Sequence, residues 1–165
     1  MTERSILLVE DNPQDELLTL RALKRALAAD GGSLHVDVVR DGQQALDFLF
    51  RDGEFAGRAG PELPSVVLLD IGLPRLTGLE VLNRLRGDGR TRLVPVVVLT
   101  SSDDDGDRQA SYERGANSFV RKPSAYGDYA DTVAHLGRYW LSTNEPLAYP
   151  PAPPAGPASP AIAER

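Results

Sequence analysis

The sequence predicts one α/β domain built on a five-stranded parallel sheet with helices on both faces. Short continuous apolar runs, typical of strands buried on both faces of a sheet, alternate five times with segments of helical apolar spacing. No repeat or shift in composition divides these units before residue 142, and 165 residues suit a single domain. Polar side chains directly follow several runs, where open parallel sheets place ligands and chemistry.

The first unit shows the pattern most clearly. Residues 6–9 form an apolar run that ends at Glu10 and Asp11. Asn12 is a good N-cap and Pro13 fits the first helical position, after which apolar residues recur at spacings of three and four. We therefore expect a strand, an acidic pair at its carboxyl end, and a helix.

The other four units follow in the same order. Their expected strands cover residues 34–39, 66–69, 94–99 and 118–121. Asp103 is the expected cap of the fourth helix, and the fifth helix is expected from about Ala125 to Leu141. Residues 51–64 are rich in Gly, Pro and charge, which predicts a surface loop longer than is usual in such folds.

Composition bounds the function. The net charge of −6 argues against a nucleic-acid surface, which usually needs a basic patch. There is no cysteine for a disulfide, a Cys-ligated zinc or thiol chemistry. No apolar run approaches a membrane span, and residues 1–5 lack the apolar region of a signal peptide. We expect a cytoplasmic protein without nucleic-acid or membrane partners.

Polar residues at four strand ends form the candidate site. They are Glu10 and Asp11 after the first strand, Asp70 after the third, Thr100 after the fourth and Lys122 after the fifth. In the strand order 2-1-3-4-5 the first and third strands are neighbours, so the three acids would share one pocket. Clustered carboxylates repel one another unless a cation neutralises them, and oxygen ligands without His or Cys point to Mg²⁺.

Asp70 is the candidate nucleophile of this pocket. A carboxylate can attack phosphorus and form an aspartyl phosphate. Phosphoryl transfer depends mainly on stabilising charge on the equatorial oxygens, which Mg²⁺, the Lys122 ammonium and the Thr100 hydroxyl would supply.

As a set, these residues resemble the signature of response-regulator receiver domains. The matching motifs are Glu10-Asp11, Asp70-Ile71-Gly72-Leu73-Pro74 with Gly78, Leu99-Thr100-Ser101, Gly115-Ala116 and Phe119-Val120-Arg121-Lys122-Pro123. The resemblance covers about residues 4–141 and implies a flavodoxin-like (βα)₅ sandwich of strand order 2-1-3-4-5. We therefore expect a receiver domain over residues 1–141 and a Pro/Ala-rich tail or dimer arm over residues 142–165.

The resemblance also implies a role for each site residue. Asp70 would accept a phosphoryl group from a histidine kinase, and the protein would promote its own phosphotransfer without being an enzyme in the usual sense. The implied Mg²⁺ ligands are Glu10, Asp11, Asp70 and the backbone carbonyl of Gly72. Thr100 would be the switch hydroxyl, Phe119 the aromatic that rotates with it, and Lys122 the phosphate-binding cation.

Two segments narrow the resemblance to the small regulators that partner bacterial phytochrome kinases. They are the loop at residues 51–64 and the end of the last helix, residues 135–141. A phytochrome-type kinase is therefore the expected partner.

Three positions depart from the family pattern. Glu10 stands where many receivers have Asp, and its longer arm is expected to reach the metal through water. Gly72 and Ser102 occupy the positions that influence attack by water on the acyl phosphate, and neither offers a carboxylate or amide. We expect slow self-dephosphorylation.

The last helix is the expected output surface. Its aromatic and apolar stripe is Tyr126, Tyr129, Val133, Leu136 and Trp140. Part of this stripe would cover the sheet, but its aromatic end favours an interface. Since no output domain follows the helix, we expect a homodimer through the fourth helix, fifth strand and fifth helix, embraced by the tail at residues 142–165.

Three other interpretations are weaker. A haloacid-dehalogenase-type hydrolase would need a second Asp two residues after Asp70, where this chain has Gly72. A phosphorylation-independent dimerising adaptor is at odds with the intact Asp70, Thr100 and Lys122. His35 and His135 are candidate phosphate carriers only in principle, because neither is expected near Asp70.

Overall fold

The structure is a computed structural model that describes residues 4–29, 31 and 33–147. Five parallel strands form one sheet in the order β2-β1-β3-β4-β5, which confirms the predicted topology. The strands are β1 (Ser5–Val9), β2 (His35–Val39), β3 (Val66–Leu69), β4 (Val96–Thr100) and β5 (Ser118–Arg121). The helices are α1 (Pro13–Ala28), α2 (Gly42–Phe50), α3 (Gly78–Gly87), α4 (Asp105–Glu113) and α5 (Tyr126–Arg138).

The continuous apolar runs are explained by burial on both faces of the sheet. Along β1, Leu7 and Val9 belong to the core beneath α2 and α3, whereas Ile6 and Leu8 belong to the core beneath α1 and α5. All five residues of β1 are buried. A strand covered by helices on both sides has no polar face, so its sequence lacks the alternation of a half-exposed strand.

The last helix differs in detail from the expectation. The α-helical hydrogen bonding ends at Arg138, and one π-helical turn, Tyr139–Thr143, continues the chain. The side chain of Arg4 donates a hydrogen bond to the carbonyl of Leu141 and so ties this turn to the start of β1. The turn crosses the expected boundary at residue 142. Of the expected tail, residues 148–165 lie outside the described part of the chain.

The long loop at residues 51–64 is at the surface but is firmly held. It contains a short 3₁₀ helix, Gly53–Phe55, and the Arg58 guanidinium stacks 4.0 Å above the Phe48 ring. Arg58 also donates to the carbonyls of Phe48, at 3.1 Å, and of Glu62, at 2.7 Å. Burial, followed by the nearby charge of Arg51, lowers the pKa of Arg58. The loop is thus folded around an arginine bound by main-chain carbonyls.

The fourth helix begins one residue later than the sequence indicated. Asp104, rather than Asp103, is its N-cap, and the Asp104 carboxylate accepts a hydrogen bond from the Gly106 amide. Asp103 instead pairs with Arg121 at 3.1 Å, which joins the start of the α4 segment to the end of β5.

No helix in the described part of the chain is long and apolar enough to cross a membrane.

Candidate functional site

The acidic residues meet because β1 and β3 are neighbours in register. Val9 lies opposite Leu69 in the parallel pairing, so Glu10 and Asp70 leave the sheet side by side. The Asp70 amide donates to the Val9 carbonyl at 3.1 Å, which extends the pairing to the site itself. The sheet therefore fixes the backbone of both acids while their side chains reach beyond its carboxyl edge.

Asp70 is fixed locally by two glycines. The Gly72 amide donates to Asp70 Oδ1 at 2.9 Å, leaving Oδ2 directed to the rest of the site. Gly78, at the start of α3, packs so closely that a Cβ there would lie 2.3 Å from the Asp70 carbonyl oxygen and 2.5 Å from Ile71 Cα. Only a residue without a side chain lets α3 approach the loop that carries Asp70.

Lys122 reaches into the acidic group from the far side of β4. Its ammonium donates to Glu10 Oε2 at 2.6 Å, to Asp15 Oδ2 at 2.9 Å and to Asp70 Oδ2 at 3.1 Å. The Lys122 amide donates to the Thr100 carbonyl at 2.7 Å, which holds the base of the lysine against β4. Burial lowers the pKa of Lys122, but the hydrogen bonds to Glu10 and Asp15 and the charge of Asp70 outweigh it, so the pKa is raised.

Glu10 is the deepest acid, with 2% of its side chain exposed. Burial raises its pKa, and the charge of Asp70 adds to the effect. The Lys122 ammonium and the Asn12 amide oppose the rise, and the resulting pKa is about 7. Both Glu10 oxygens are engaged, because Oε1 accepts from the Asn12 amide at 3.1 Å while Oε2 accepts from Lys122.

Three carboxylates are grouped closely enough to hold a metal ion. One oxygen from each of Glu10, Asp11 and Asp70 lies within 4.8 Å of the others. The oxygens are hard ligands, which fit a divalent cation of the Mg²⁺ or Mn²⁺ type. Gly72 lines the same cavity, whose volume is about 580 Å³. The donor set thus fits the metal site expected from the sequence.

Thr100 and Ser102 also line this cavity. Thr100 is buried, and its Oγ1 accepts a hydrogen bond from the Ser102 amide at 3.2 Å. The Ser102 hydroxyl in turn donates to Asp107 Oδ2 at 2.5 Å, in the first turns of α4. A chain of two hydrogen bonds therefore links the candidate switch hydroxyl to α4.

Phe119 lies on β5 and is partly buried against the core beneath α2 and α3. Its amide donates to the Tyr112 hydroxyl of α4 at 3.2 Å. Tyr112 is 51% exposed and was not singled out from the sequence. The candidate switch aromatic thus contacts the fourth helix through its main chain as well as the core through its ring.

Asp15 is the site residue that the sequence analysis missed. An acid in the first turn of a helix is ordinarily explained by the helix dipole, so its position gave no separate signal. The neighbouring acid, Glu16, pairs with Arg40 at 2.7 Å, away from Lys122. Asp15 instead contacts the ammonium of Lys122 in the site.

The interface stripe predicted on α5 needs a correction. Tyr129 is 3% exposed and Val133 is fully buried, because both face the sheet in the core beneath α1 and α5. The Tyr129 hydroxyl hydrogen-bonds Thr19 Oγ1 at 2.7 Å, within the monomer. These two residues are therefore core residues and do not form a surface.

The rest of the stripe reaches the surface to different degrees. Tyr126 is 64% exposed, whereas Leu136 and Trp140 are half-buried. The Trp140 ring packs edge-on against Tyr139, with ring centroids 5.0 Å apart, and Tyr139 is 48% exposed.

Neither histidine contacts the acidic site. His35 begins β2, at the edge of the sheet opposite the carboxyl ends, and its Nε2 lies 3.0 Å from Asp37 Oδ2. His135 is exposed in the last turns of α5.

Comparison with known proteins agrees with this geometry. A family model described as the response regulator receiver domain matches residues 6–134. The probable methanogenesis regulatory protein FilR2 of Methanothrix harundinacea is 42% identical over 139 residues, which cover 84% of each chain. Response regulator Rcp1 of Synechocystis sp. is 35% identical over 138 residues, which cover 84% of this chain and 89% of Rcp1.

Solved structures with this fold include three phytochrome-linked or metal-bound regulators. The phosphorylated cyanobacterial phytochrome response regulator RcpA superposes with a TM-score of 0.79 at 32% identity, over 89% of this chain and all of RcpA. The Mn²⁺-bound form of response regulator Rcp1 superposes with a TM-score of 0.78 at 32% identity, over 88% of this chain and 100% of that chain. The bacteriophytochrome response regulator RtBRR superposes with a TM-score of 0.67 at 46% identity, over 89% of this chain and 85% of that chain.

The matched residues include the acidic pair, Asp70, Thr100 and Lys122, which the structure brings to one edge of the sheet. The chain belongs to the response-regulator receiver family of two-component systems, with phytochrome response regulators among its relatives.

Proposed function

We propose that Asp70 accepts a phosphoryl group from the phosphohistidine of a sensor histidine kinase. The observation that carries the proposal is the position of Asp70 Oδ2, which lies 3.1 Å from the Lys122 ammonium beside two further acids. A carboxylate oxygen of Asp70 attacks phosphorus, and the phosphorus–nitrogen bond of the phosphohistidine breaks. The bonding electron pair returns to the imidazole nitrogen.

The proposed metal is Mg²⁺, held by Glu10, Asp11 and Asp70 with the backbone carbonyl of Gly72. The fit rests on the close grouping of the three carboxylates and the oxygen-only donor set. When bound, Mg²⁺ neutralises charge on the acids and on the transferring phosphoryl group.

Lys122 and Thr100 provide the protein's own contribution to transfer. The ammonium of Lys122 lies where it can contact a phosphoryl oxygen once Asp70 Oδ2 carries the phosphoryl group, because both residues line one cavity. The Thr100 hydroxyl lines the same cavity and can donate to a second oxygen. Preorganised donors of this kind stabilise the charge of the transition state.

The test is the intact mass of the wild type and of Asp70→Asn after incubation with acetyl phosphate, with and without Mg²⁺. We expect the wild type to gain one phosphoryl group only with Mg²⁺, and the variant to gain none. Equal labelling of Asp70→Asn would place the acceptor elsewhere, and an unlabelled wild type would contradict the proposal.

We further propose a phytochrome-type histidine kinase as the phosphoryl donor. The support is the relatedness to regulators described as phytochrome or bacteriophytochrome response regulators. The experiment compares phosphotransfer from a phosphorylated bacteriophytochrome kinase and from an unrelated histidine kinase at equal concentrations. Faster transfer from the phytochrome kinase is expected, and equal rates would contradict the assignment.

We also propose that the signal leaves through a homodimer formed by α4, β5 and α5, with residues 142–165 as an arm. Phosphorylation would draw Thr100 toward the phosphate and let Phe119 turn further inward, which repacks this face. Exposed tyrosines support it: Tyr112 on α4, Tyr126 at the start of α5 and Tyr139 after its end. Half-buried Leu136 and Trp140 complete the corrected stripe.

Sedimentation velocity at micromolar concentration, with and without phosphorylation, tests the dimer. Tyr126→Ser should weaken it, whereas Leu17→Ser, a matched change at an exposed apolar residue of α1, should not. Monomer under every condition would contradict the proposal.

A further inference from the structure

The Lys122 ammonium has three hydrogens, and three carboxylates surround it. The partners are Glu10 at 2.6 Å, Asp15 at 2.9 Å and Asp70 at 3.1 Å. An ammonium donates three hydrogen bonds and accepts none, so these contacts use its full capacity. The direction of the ammonium is therefore set by all three acids together.

Asp15 is the outermost of the three. The exposed fraction of the side chain rises from 2% at Glu10 to 12% at Asp70 and 30% at Asp15. Asp15 lines the cavity that contains Asp70 and also the adjoining groove beside the β5–α5 connection. Its carboxylate thus attracts the ammonium toward the mouth of the site, whereas Glu10 attracts it toward the interior.

The carboxylate of Asp15 does not cap α1. Asn12 fills that position, and its side chain accepts hydrogen bonds from the amides of Gln14 and Asp15 at 2.9 Å and 3.1 Å. The Asp15 side chain contacts Lys122, which lies 107 residues away in the sequence. The contact is therefore a feature of the site and is not required to start the helix.

We propose that Asp15 is a positioning residue that holds the Lys122 ammonium at the mouth of the site, where the phosphoryl oxygens arrive. This inference rests on the proposed phosphoacceptor function of Asp70. Lysine carries its charge on a flexible four-carbon stem, so its location depends on its partners. Without Asp15, Glu10 and Asp70 remain as the partners of the ammonium, which is then drawn toward the buried Glu10 and away from the incoming group.

The negative charge of Asp15 also repels an incoming phosphoryl donor, which would slow the reaction. Two variants separate this repulsion from the positioning of Lys122. Asp15→Ala removes both the charge and the acceptor, whereas Asp15→Asn removes the charge and keeps an acceptor oxygen for Lys122. If Asp15 positions the lysine, the alanine variant is slow and the asparagine variant is largely restored. If charge repulsion dominates, both variants are faster than the wild type.

The experiment measures phosphorylation by acetyl phosphate at saturating Mg²⁺, as the limiting rate and the half-saturating concentration of acetyl phosphate. Glu16→Gln is the matched control, since Glu16 lies in the same turn but pairs with Arg40. Thermal unfolding of each variant is recorded beside the rates, so that a loss of fold is separated from a loss of positioning.

We expect a limiting rate roughly tenfold lower for Asp15→Ala, since misplacing a catalytic group by about 1 Å costs up to about a hundredfold. The half-saturating concentration should change little. Asp15→Asn should stay within about threefold of the wild type, because the acceptor remains, and Glu16→Gln should match the wild type.

A folded Asp15→Ala protein that is as fast as the wild type or faster would overturn the inference and leave the proposed function intact. Should Asp15→Ala fail to fold, Asp15→Asn decides: a rate well above the wild type overturns the inference. A wild type that accepts no phosphoryl group would overturn both.

Discussion

The ammonium of Lys122 and the carboxylate of Asp70 lie 3.1 Å apart, although 52 residues separate them in the chain. Asp70 follows β3 and Lys122 follows β5, so the lysine crosses the end of β4 to make the contact. At that crossing its amide is bound to the carbonyl of Thr100. One residue thus joins the candidate nucleophile, the buried Glu10 and the strand that carries the candidate switch.

Removing the Lys122 charge should destabilise the fold. Lys122→Met leaves Glu10 buried without its cation, so the carboxyl must stay charged and unpaired or take up a proton, at a cost of up to about 3–5 kcal/mol. Urea denaturation at neutral pH, without divalent metal, measures the loss. Arg121→Met is the control, because its pair with Asp103 is exposed and should contribute less than about 1 kcal/mol. Equal losses in the two variants would contradict the buried pair.

Metal affinity should depend on the protonation of Glu10. Its pKa is raised to about 7, chiefly by burial, so the carboxyl is largely protonated at pH 6. A proton on this ligand opposes a divalent cation, and the affinity for Mg²⁺ should fall by about tenfold for each pH unit below 7. Titration calorimetry at pH 6 and pH 8 tests this. The dependence should flatten in Glu10→Gln, and an identical slope there would assign the proton to another group.

The same shift has the opposite sign for stability without metal. The folded-state pKa of Glu10, about 7, lies above its ordinary value of 4.5, so between these values the native state binds more protons than the unfolded state. The contribution of Glu10 to the free energy of unfolding is complete below about pH 4.5 and is lost as the pH rises through 7. Urea denaturation of the wild type and Glu10→Gln across pH 5–8 should show this difference, and parallel pH dependences of the two proteins would contradict it.

Gly78→Ala should disturb the site through the backbone. Its Cβ would lie 2.3 Å from the Asp70 carbonyl oxygen, so α3 or the Asp70 loop must move. Overpacking of this kind costs typically about 1–3 kcal/mol. Gly87→Ala is the control in the same helix, because no atom of the described residues lies within 4 Å of its Cβ position. The midpoint temperature of thermal unfolding and the phosphorylation rate should both be lower in Gly78→Ala and unchanged in Gly87→Ala. A Gly78→Ala protein with both values unchanged would contradict the close packing.

The phosphorylated protein should lose its phosphoryl group slowly. Neither Gly72 nor Ser102 carries a carboxylate or amide, and the Ser102 hydroxyl is engaged by Asp107. A Cβ at Gly72 would lie 3.6 Å from Asp70 Oδ1, an ordinary contact, so Gly72→Asn fits and adds an amide that can orient water. Phosphate release should be about tenfold faster in Gly72→Asn, which is less than the roughly 10²–10⁴-fold of a positioned general acid or base, because an amide only orients the water. Gly72→Ala is the control that adds side-chain volume without an amide. An aspartyl phosphate that lasts no longer in the wild type than in Gly72→Asn would contradict the expectation.

Much of the fold could be predicted because β1 and β3 are apolar throughout and end in acids. A run buried on both faces marks a central parallel strand, and the carboxyl ends of such strands meet at one edge. Those two facts predict from the sequence that Glu10 and Asp70 lie close together.

Other features could not be predicted because one pattern has two physical causes. Helical spacing is typical of a buried face and of a docking face alike, so the pattern predicts a surface that includes Tyr129 and Val133, whereas both lie in the core. An acid in a first turn fits the helix dipole as well as a contact with a distant lysine, so Asp15 was not singled out. In both cases tertiary packing decided between the two.

The most direct test of the central claim is to locate the phosphoryl group chemically. Borohydride reduces an aspartyl phosphate to homoserine, and peptide mass spectrometry of protein treated with acetyl phosphate and Mg²⁺ identifies the position. We expect homoserine at position 70 and nowhere else. Homoserine at another acid, such as Asp11, would contradict this expectation. So would a phosphoryl group that remains on the protein after borohydride treatment while no homoserine forms.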